Sequence, residues 1–197
     1  MSKALVKVPV HFTGVSALLQ NRDDVLILDS SLKKEKSESW EEHEMRIWKN
    51  KAHYNTKGEV ICPNTWIRKA LIASQNQNAN PIRPANSRKA TDTLRTYFVA
   101  GIMVDDAVMT LKNKPVTEKD LTPFKKMVSP QGKGKVLCIR PMIPAGWEVK
   151  TEIMILDDMI RPEQIYECLS WAGRFNGFGD WRPQKGGVFG IYDVDKK

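Results

Sequence analysis

Apolar and polar side chains alternate from the first residues of the chain. Across Lys3-Ala4-Leu5-Val6-Lys7-Val8-Pro9-Val10-His11-Phe12, Ala4, Val6, Val8 and Val10 share one face and Lys3, Leu5 and Lys7 the other, the period of a β-strand. Pro9 has no N–H to offer a neighbour, which predicts an edge position or a bulge late in that strand. Gly14 turns the chain into a mixed stretch ending at Asp29-Ser30-Ser31, and Lys33-Lys34-Glu35-Lys36 follows as a solvated charge run. Ser39-Trp40-Glu41-Glu42 has the spacing of a capping box, in which hydroxyl and carboxylate satisfy each other's backbone donors. Trp40, Glu44, Ile47 and Trp48 then share a helical face, so a helix is predicted near 40–50, trailed by Lys49, Lys51 and Lys57.

Gly58 to Pro63 reads as a short strand stopped by proline, with Asn64 as the N-cap of a helix over Thr65 to Ser74. Ile67, Ala70, Leu71 and Ser74 form its inner stripe, and Arg68 and Lys69 lie on its flank. Gln75 to Arg88 is polar and reads as a mobile loop, punctuated by Arg83, Arg88 and Lys89. Arg95 to Val104 is predicted as a strand with Tyr97, Val99 and Met103 partly interior, and residues 108–111 as another. Residues 112–135 carry seven lysines with three prolines, a composition that reads as a solvent-facing arm or hairpin.

Further strands are predicted at Lys135 to Arg140 and Trp147 to Leu156. The second passes from alternation into a continuous apolar run, the mark of a central strand. Pro162 opens a helix reaching about Arg174, with Ile165, Cys168, Leu169 and Ala172 inward. A glycine-rich stretch, Gly173 to Gly187, leads into a last strand, Val188 to Val194. The order predicts an α+β fold with a ferredoxin-like or RRM-like core sheet and helices on one face. It is read as one domain over 1–197, with insertions at about 30–57 and 110–135.

Composition narrows the function. The 197 residues carry a formal charge of +8 and a pI near 9.4, a balance that favours a polyanionic partner. No stretch approaches the roughly 18 apolar residues of a membrane span, and the N-terminus does not build a signal peptide, so a cytoplasmic protein is expected. Cys62, Cys138 and Cys168 are scattered and odd in number, and His11, His43 and His53 offer no ligand spacing beside them. Reduced thiols are therefore expected, with no metal and no cofactor.

The glycine-rich stretch carries the most chemistry. Glycines let backbone N–H groups approach a phosphate or ribose closely. Arg174, Arg182 and Lys185 lie among them to meet phosphates, and Phe175, Phe178 and Trp181 are either stacking platforms for bases or plugs in the core. The stretch follows a helix instead of opening one, so the dinucleotide fingerprint does not apply.

Two segments resemble the RAMP superfamily, which includes the Cas7 backbone subunits of CRISPR effector complexes. Gly173 to Gly187 running into Val188-Phe189-Gly190-Ile191-Tyr192-Asp193-Val194 is similar to its C-terminal glycine-rich signature. Val60-Ile61-Cys62-Pro63-Asn64-Thr65-Trp66-Ile67-Arg68-Lys69-Ala70-Leu71 is similar to its strand–proline–helix segment. Pro63 keeps the family's proline, Asn64-Thr65-Trp66 stands in place of a glycine and two serines, Ile67 takes the leucine position, and Lys69 takes a glycine. Arg68 takes the basic position that touches guide-RNA backbone in the family. Without the Gly-Ser-Ser triplet, the chain reads as a distant relative, such as a phage or mobile-element Cas7-like protein. The resemblance implies that 33–57 and 110–135 are finger and thumb, and that the subunit polymerises along RNA.

The resemblance also raises nuclease chemistry, since some RAMP proteins cleave RNA with a histidine or with an aspartate after the first strand. Candidates are His11, His43, His53, Asp23, Asp24 and Asp29. His11 reads as a core or sheet-face residue, His43 as solvated, and His53 as standing in a basic, aromatic neighbourhood suited to acid–base work on a 2′-hydroxyl. Asp105-Asp106 and Asp157-Asp158 read as turn or helix-cap pairs. The expected function is non-catalytic, oligomerising binding of single-stranded RNA through Arg68, Lys69, Arg83, Arg88, Lys89, Arg174, Trp181, Arg182 and Lys185. The alternatives are a single-stranded DNA-binding or annealing protein of a phage or mobile element, and a RAMP-type endoribonuclease.

Overall fold

The apolar face of the first strand decides where the core lies. In a computed structural model, which describes residues 5–22, 29–89, 91–129 and 134–196, strand β1 (Val6–Gly14) buries Val8, Val10 and Phe12. It lies between β9 (Trp147–Ile155) and β10 (Tyr192–Lys196), antiparallel to both, with Val8 opposite Ile153 and Phe12 opposite Val194. The other strands are β2 (Leu18–Leu19), β3 (Ile61–Cys62), β4 (Ile102–Val104), β5 (Ala107–Leu111), β6 (Lys114–Pro115), β7 (Thr122–Val128) and β8 (Val136–Ile143). The helices are α1 (Trp40–Ile47), α2 (Asn64–Gln77), α3 (Arg95–Ala100) and α4 (Pro162–Phe175).

The main sheet runs β10-β1-β9-β5-β3, with β4 also on β9 and β6 on β5. Taking α2 and α4 as the crossovers, this is the antiparallel order of a split βαβ, ferredoxin-like unit. α4 packs along β10 and against α2, so both helices cover one face. Ile165, Leu169 and Ala172 of α4 and Ile67, Ala70 and Leu71 of α2 are fully buried there. The fold is α+β, with β9 in the central place its apolar run predicts.

A second sheet, β2-β8-β7, holds the lysine-rich segment. β7 and β8 pair along their whole length as a hairpin, and β7 is exposed over most of its residues. Against β8 packs α1 with the 3-10 turn Trp48–Lys51. The capping box at Ser39 and Glu42 forms as expected, and Ile47 and Trp48 are buried, while Trp40 remains 62% exposed.

Several expectations are corrected. Residues 95–100 are helix, because Leu94 and Phe98, four apart, are both fully buried while Val99 is 51% exposed; the four-residue spacing overrode the alternation of Tyr97, Val99 and Met103. Pro9 stands in a central strand, but β10 pairs only from Val10 onward, so the missing N–H falls where no neighbour needs it, and the Pro9 carbonyl accepts from the Tyr166 hydroxyl at 2.6 Å. α2 continues to Gln77, with Gln75 buried and donating to the Cys168 sulfur. Residues 188–191 precede the last strand instead of forming it.

Asn64 is not the cap of α2. The N-cap is Pro63, and the Asn64 backbone N–H donates to the Asp106 carboxylate at 2.7 Å. Asp106→Ala is expected to lower stability by about 0.5–2 kcal/mol, with Asn64→Ala nearly neutral; urea midpoints of the two variants check this.

Candidate nucleic-acid interface

The segment after α4 is shaped by close backbone approach. Gly177, Gly179, Gly186 and Gly190 all have positive φ, and a Cβ at Gly179 would overlap the Leu19 carbonyl oxygen. The Asp180 N–H donates to Leu19 O at 2.8 Å, the Gly190 N–H to Ala17 O at 2.8 Å, and the Phe178 N–H to Gly190 O at 2.9 Å. The loop is thus laced to the chain between β1 and β2. Of its aromatics, Phe178 is a core plug, 1% exposed and stacked on Tyr192 at 4.2 Å. Phe175 is exposed, and Trp181 is half-buried.

Between this loop and α2 lies a cavity of about 170 Å³, lined by Asn21, Trp66, Lys69, Asn176, Gly177 to Gly179, Asp180 and Arg182. A shallower groove continues from it along α2, sharing Lys69, Asn176 and Arg182 and adding Asn76, Gln77 and Gln184. Arg182 donates to the Gly179 carbonyl at 2.8 Å and through two nitrogens to Gln184 Oε1 at 3.1 and 2.8 Å. Burial pulls its pKa below the usual arginine range, opposed by the charge of nearby Asp180. Asp180 itself is paired with Arg140 at 2.8 Å, so no carboxylate ion pair with Arg182 is seen among the described residues. Lys69 is exposed at the rim. Asn176 is 3% exposed with its Oδ1 unpartnered. The lining therefore offers two cations, amides and an indole around glycine backbone, with the Asp180 carboxylate paired to Arg140, a set suited to binding an anionic, ring-bearing chain.

No protein-family model and no curated protein matches the sequence. Solved structures match the fold: a chain of the type III-B Cmr-beta complex bound to cognate target RNA aligns at 12% identity and TM-score 0.58, over 98% of this chain and 59% of that one. The chain shares its fold with that chain of the Cmr-beta complex. It spans about 59% of the length of that relative. Cmr6 from Pyrococcus furiosus (12% identity, TM-score 0.48, 96% of this chain and 98% of that one) and a chain of a type IV-B CRISPR complex (13%, 0.49, 96% and 90%) are also similar.

Within this fold, Lys69 and Arg182 are brought to one cavity, while Arg174 and Lys185, exposed on the last turn of α4 and on the 3-10 turn Pro183–Lys185, are not among its lining. Arg68 turns away and donates to the Val99 carbonyl of α3. Arg83, Arg88 and Lys89 are exposed in the connection before α3, and the Arg83 carbonyl accepts from Gln164 in the first turn of α4. At about 1.5 Å rise per residue, that end of α4 is on the order of 20 Å from the glycine loop. These three cations form a separate group.

The nuclease candidates are dispersed. His11 bonds Glu148 through Nε2 at 2.9 Å, with its side chain on the sheet face away from the helices. His43, expected to be solvated, is 2% exposed with Nε2 on the Leu32 carbonyl, because the turn at 30–32 folds back over α1. His53 packs edge-on against Trp66 at 5.5 Å, one ring behind the cavity wall. Asp29 accepts from Ser31, and Asp23 and Asp24 lie outside the described residues. Asp106 caps α2 and Asp157 accepts from Met159 N–H at 2.9 Å, the capping and turn roles expected. Among the described residues no three metal-ligating side chains come together, and no helix is long and apolar enough to cross a membrane. Sequence reading missed Trp66, Asn21 and Asn176 as lining; Trp66 was legible in principle, three residues before Lys69 on the same flank of α2.

Proposed function

We propose that this chain is a non-catalytic, Cas7-like subunit that binds single-stranded RNA in the groove between α2 and the glycine-rich loop. The observation that carries the reading is the convergence of Lys69 and Arg182 on one cavity walled by Trp66 and by glycine backbone. Phosphates meet the two cations, and ribose or base edges meet the amides of Asn21 and Asn176. One structural relative comes from a complex bound to target RNA, which supports RNA as the ligand and membership of a ribonucleoprotein assembly. Arg68, Arg83, Arg88, Lys89, Arg174 and Lys185 act as outer contacts through the basic field. The segments 30–57 and 110–135 contact neighbouring subunits, so that copies line up along the strand.

Fluorescence anisotropy with matched RNA and DNA oligomers tests this. Tighter binding of RNA is expected, with log K falling against log salt by about 0.7 per phosphate contact. Lys69→Ala and Arg182→Gln should each flatten that slope by about 0.7, and Arg68→Ala by less. If neither of the first two changes the slope, the groove is not the binding site; equal affinity for DNA would favour a single-stranded DNA-binding protein. Labelled RNA incubated with Mg²⁺ should stay intact, and turnover lost in His53→Ala would overturn the non-catalytic assignment.

A further inference from the structure

The residue between two cavity-lining positions points elsewhere. Asp180 and Arg182 line the groove, while Trp181 packs on the β7–β8 hairpin. Its ring meets Phe124 edge-on at 5.5 Å, and Phe124 meets Phe189 at 4.9 Å. None of the three rings is fully buried. Both contacts are edge-on, so the rings do not use up all their faces on one another.

Trp181 also holds a left-handed backbone, with φ of 45°, a region bulky side chains rarely adopt. The surroundings impose it. A Cβ on Gly187 would overlap the Trp181 carbonyl, and that carbonyl accepts from the Phe189 N–H at 3.3 Å. Glycine or asparagine would close such a turn without strain, so closure alone does not call for an indole here.

Two cations stand over the Trp181 ring. Lys126 Nζ stands 4.9 Å from the Trp181 ring centre and the Arg140 guanidinium carbon 5.8 Å away. Arg140 is anchored by Asp180. Lys126 is exposed and has no carboxylate partner among the described residues. An apolar protein anchor gains nothing from an ammonium at its edge. A flat base attached to a phosphate uses both the aromatic face and the charge.

We propose that Trp181, Phe124 and Phe189 form a stacking platform for one base of the strand whose backbone lies in the neighbouring groove, with Lys126 closing on that nucleotide's phosphate. The proposal rests on the RNA-binding reading above and gives that site its second half. A strand leaving Arg182 reaches the platform within one residue of protein chain, and the hairpin becomes a nucleotide-contacting element.

The test compares a labelled single-stranded oligouridylate with an oligomer of equal length that keeps ribose and phosphate but lacks bases. Trp181→Leu should weaken binding of the base-bearing strand by about 5- to 150-fold, with a far smaller loss on the base-free strand, and Trp181→Phe should retain most of the affinity. Equal losses on both strands, or none on either, would overturn the platform. Should Trp181→Leu fail to fold, photocrosslinking of a 4-thiouridine oligomer to the wild-type chain decides. Adducts on Trp181, Phe124 or Phe189 support the platform, and adducts confined to other residues sink it while leaving RNA binding intact. A wild-type chain that binds neither oligomer would remove the RNA-binding reading and the platform with it.

Discussion

Glu44→Ala is expected to destabilise the protein by about 3–5 kcal/mol, a large share of the roughly 5–15 kcal/mol that holds a domain of this kind together. Glu44 of α1 bonds Lys51 Nζ at 2.7 and 2.6 Å, both side chains being largely buried. Its Oε2 also accepts the Ile139 N–H at 2.8 Å, and Lys51 reaches the Ile139 carbonyl at 3.4 Å. One carboxylate and one ammonium therefore tie the helical insertion to β8. Removing Glu44 leaves a buried ammonium and an unpaired N–H at once. Replacing both partners by apolar residues, Glu44→Leu with Lys51→Met, should recover most of the loss, and urea denaturation of the single and double variants measures it.

The pH dependence follows from the same pair. Burial lowers the Lys51 pKa, with the Glu44 hydrogen bond and charge opposing the shift, so without Glu44 the folded value falls further. A lysine whose folded pKa lies below its unfolded value binds more protons unfolded than folded, and stability then rises with pH between the two. The deficit of Glu44→Ala should accordingly be full below the folded lysine value of the variant and shrink as pH rises from there toward the unfolded lysine value. A deficit that stays constant up to alkaline pH would mean that Lys51 escapes to solvent in the variant.

Gly179→Ala should cost about 2–5 kcal/mol, from a strained φ together with overpacking, and should weaken RNA binding as well. Its φ is +71°, and a Cβ there would collide with the Leu19 carbonyl and Leu18. Relief requires the loop to lift from β2, which breaks the Asp180 N–H bond to Leu19 O and moves Arg182 out of the groove. Gly186 is the control: its φ is +73°, yet nothing lies within reach of an added Cβ, so Gly186→Ala should cost only about 1 kcal/mol. Thermal unfolding and anisotropy on the two variants separate backbone strain from close approach. Equal effects would mean that the contact with β2 does not position the loop.

Elements whose side-chain period matches their surroundings were legible in the sequence. The stripe Ile165, Cys168, Leu169, Ala172 behind Pro162 and the stripe Ile67, Ala70, Leu71 behind Pro63 both became buried helix faces. Residues 95–100 misled because the spacing of Tyr97 and Val99 matches a strand by chance, while the buried pair Leu94 and Phe98 straddles the start of the segment; residues 102–104 did form a strand, β4. His43 misled because its helix is charged, and only the fold-back of residues 30–32 covers it. The aromatics of the glycine loop could not be sorted by type or spacing: Phe178 entered the core and Trp181, three residues on, turned to the hairpin.

Local backbone geometry sets a period of 2 or 3.6 for every side chain, so one sequence alone determined the helices α2 and α4, the central strand β9 and the basic, glycine-rich character of the C-terminal segment. Which cations share a surface is a different kind of fact. Lys69 and Arg182 face one another because glycines let the loop press on Ala17 to Leu19, while Arg68, the neighbour of Lys69, rotates about 100° around the helix onto α3. Contacts between residues so far apart in the chain depend on how the layers pack, and only the tertiary structure decided them.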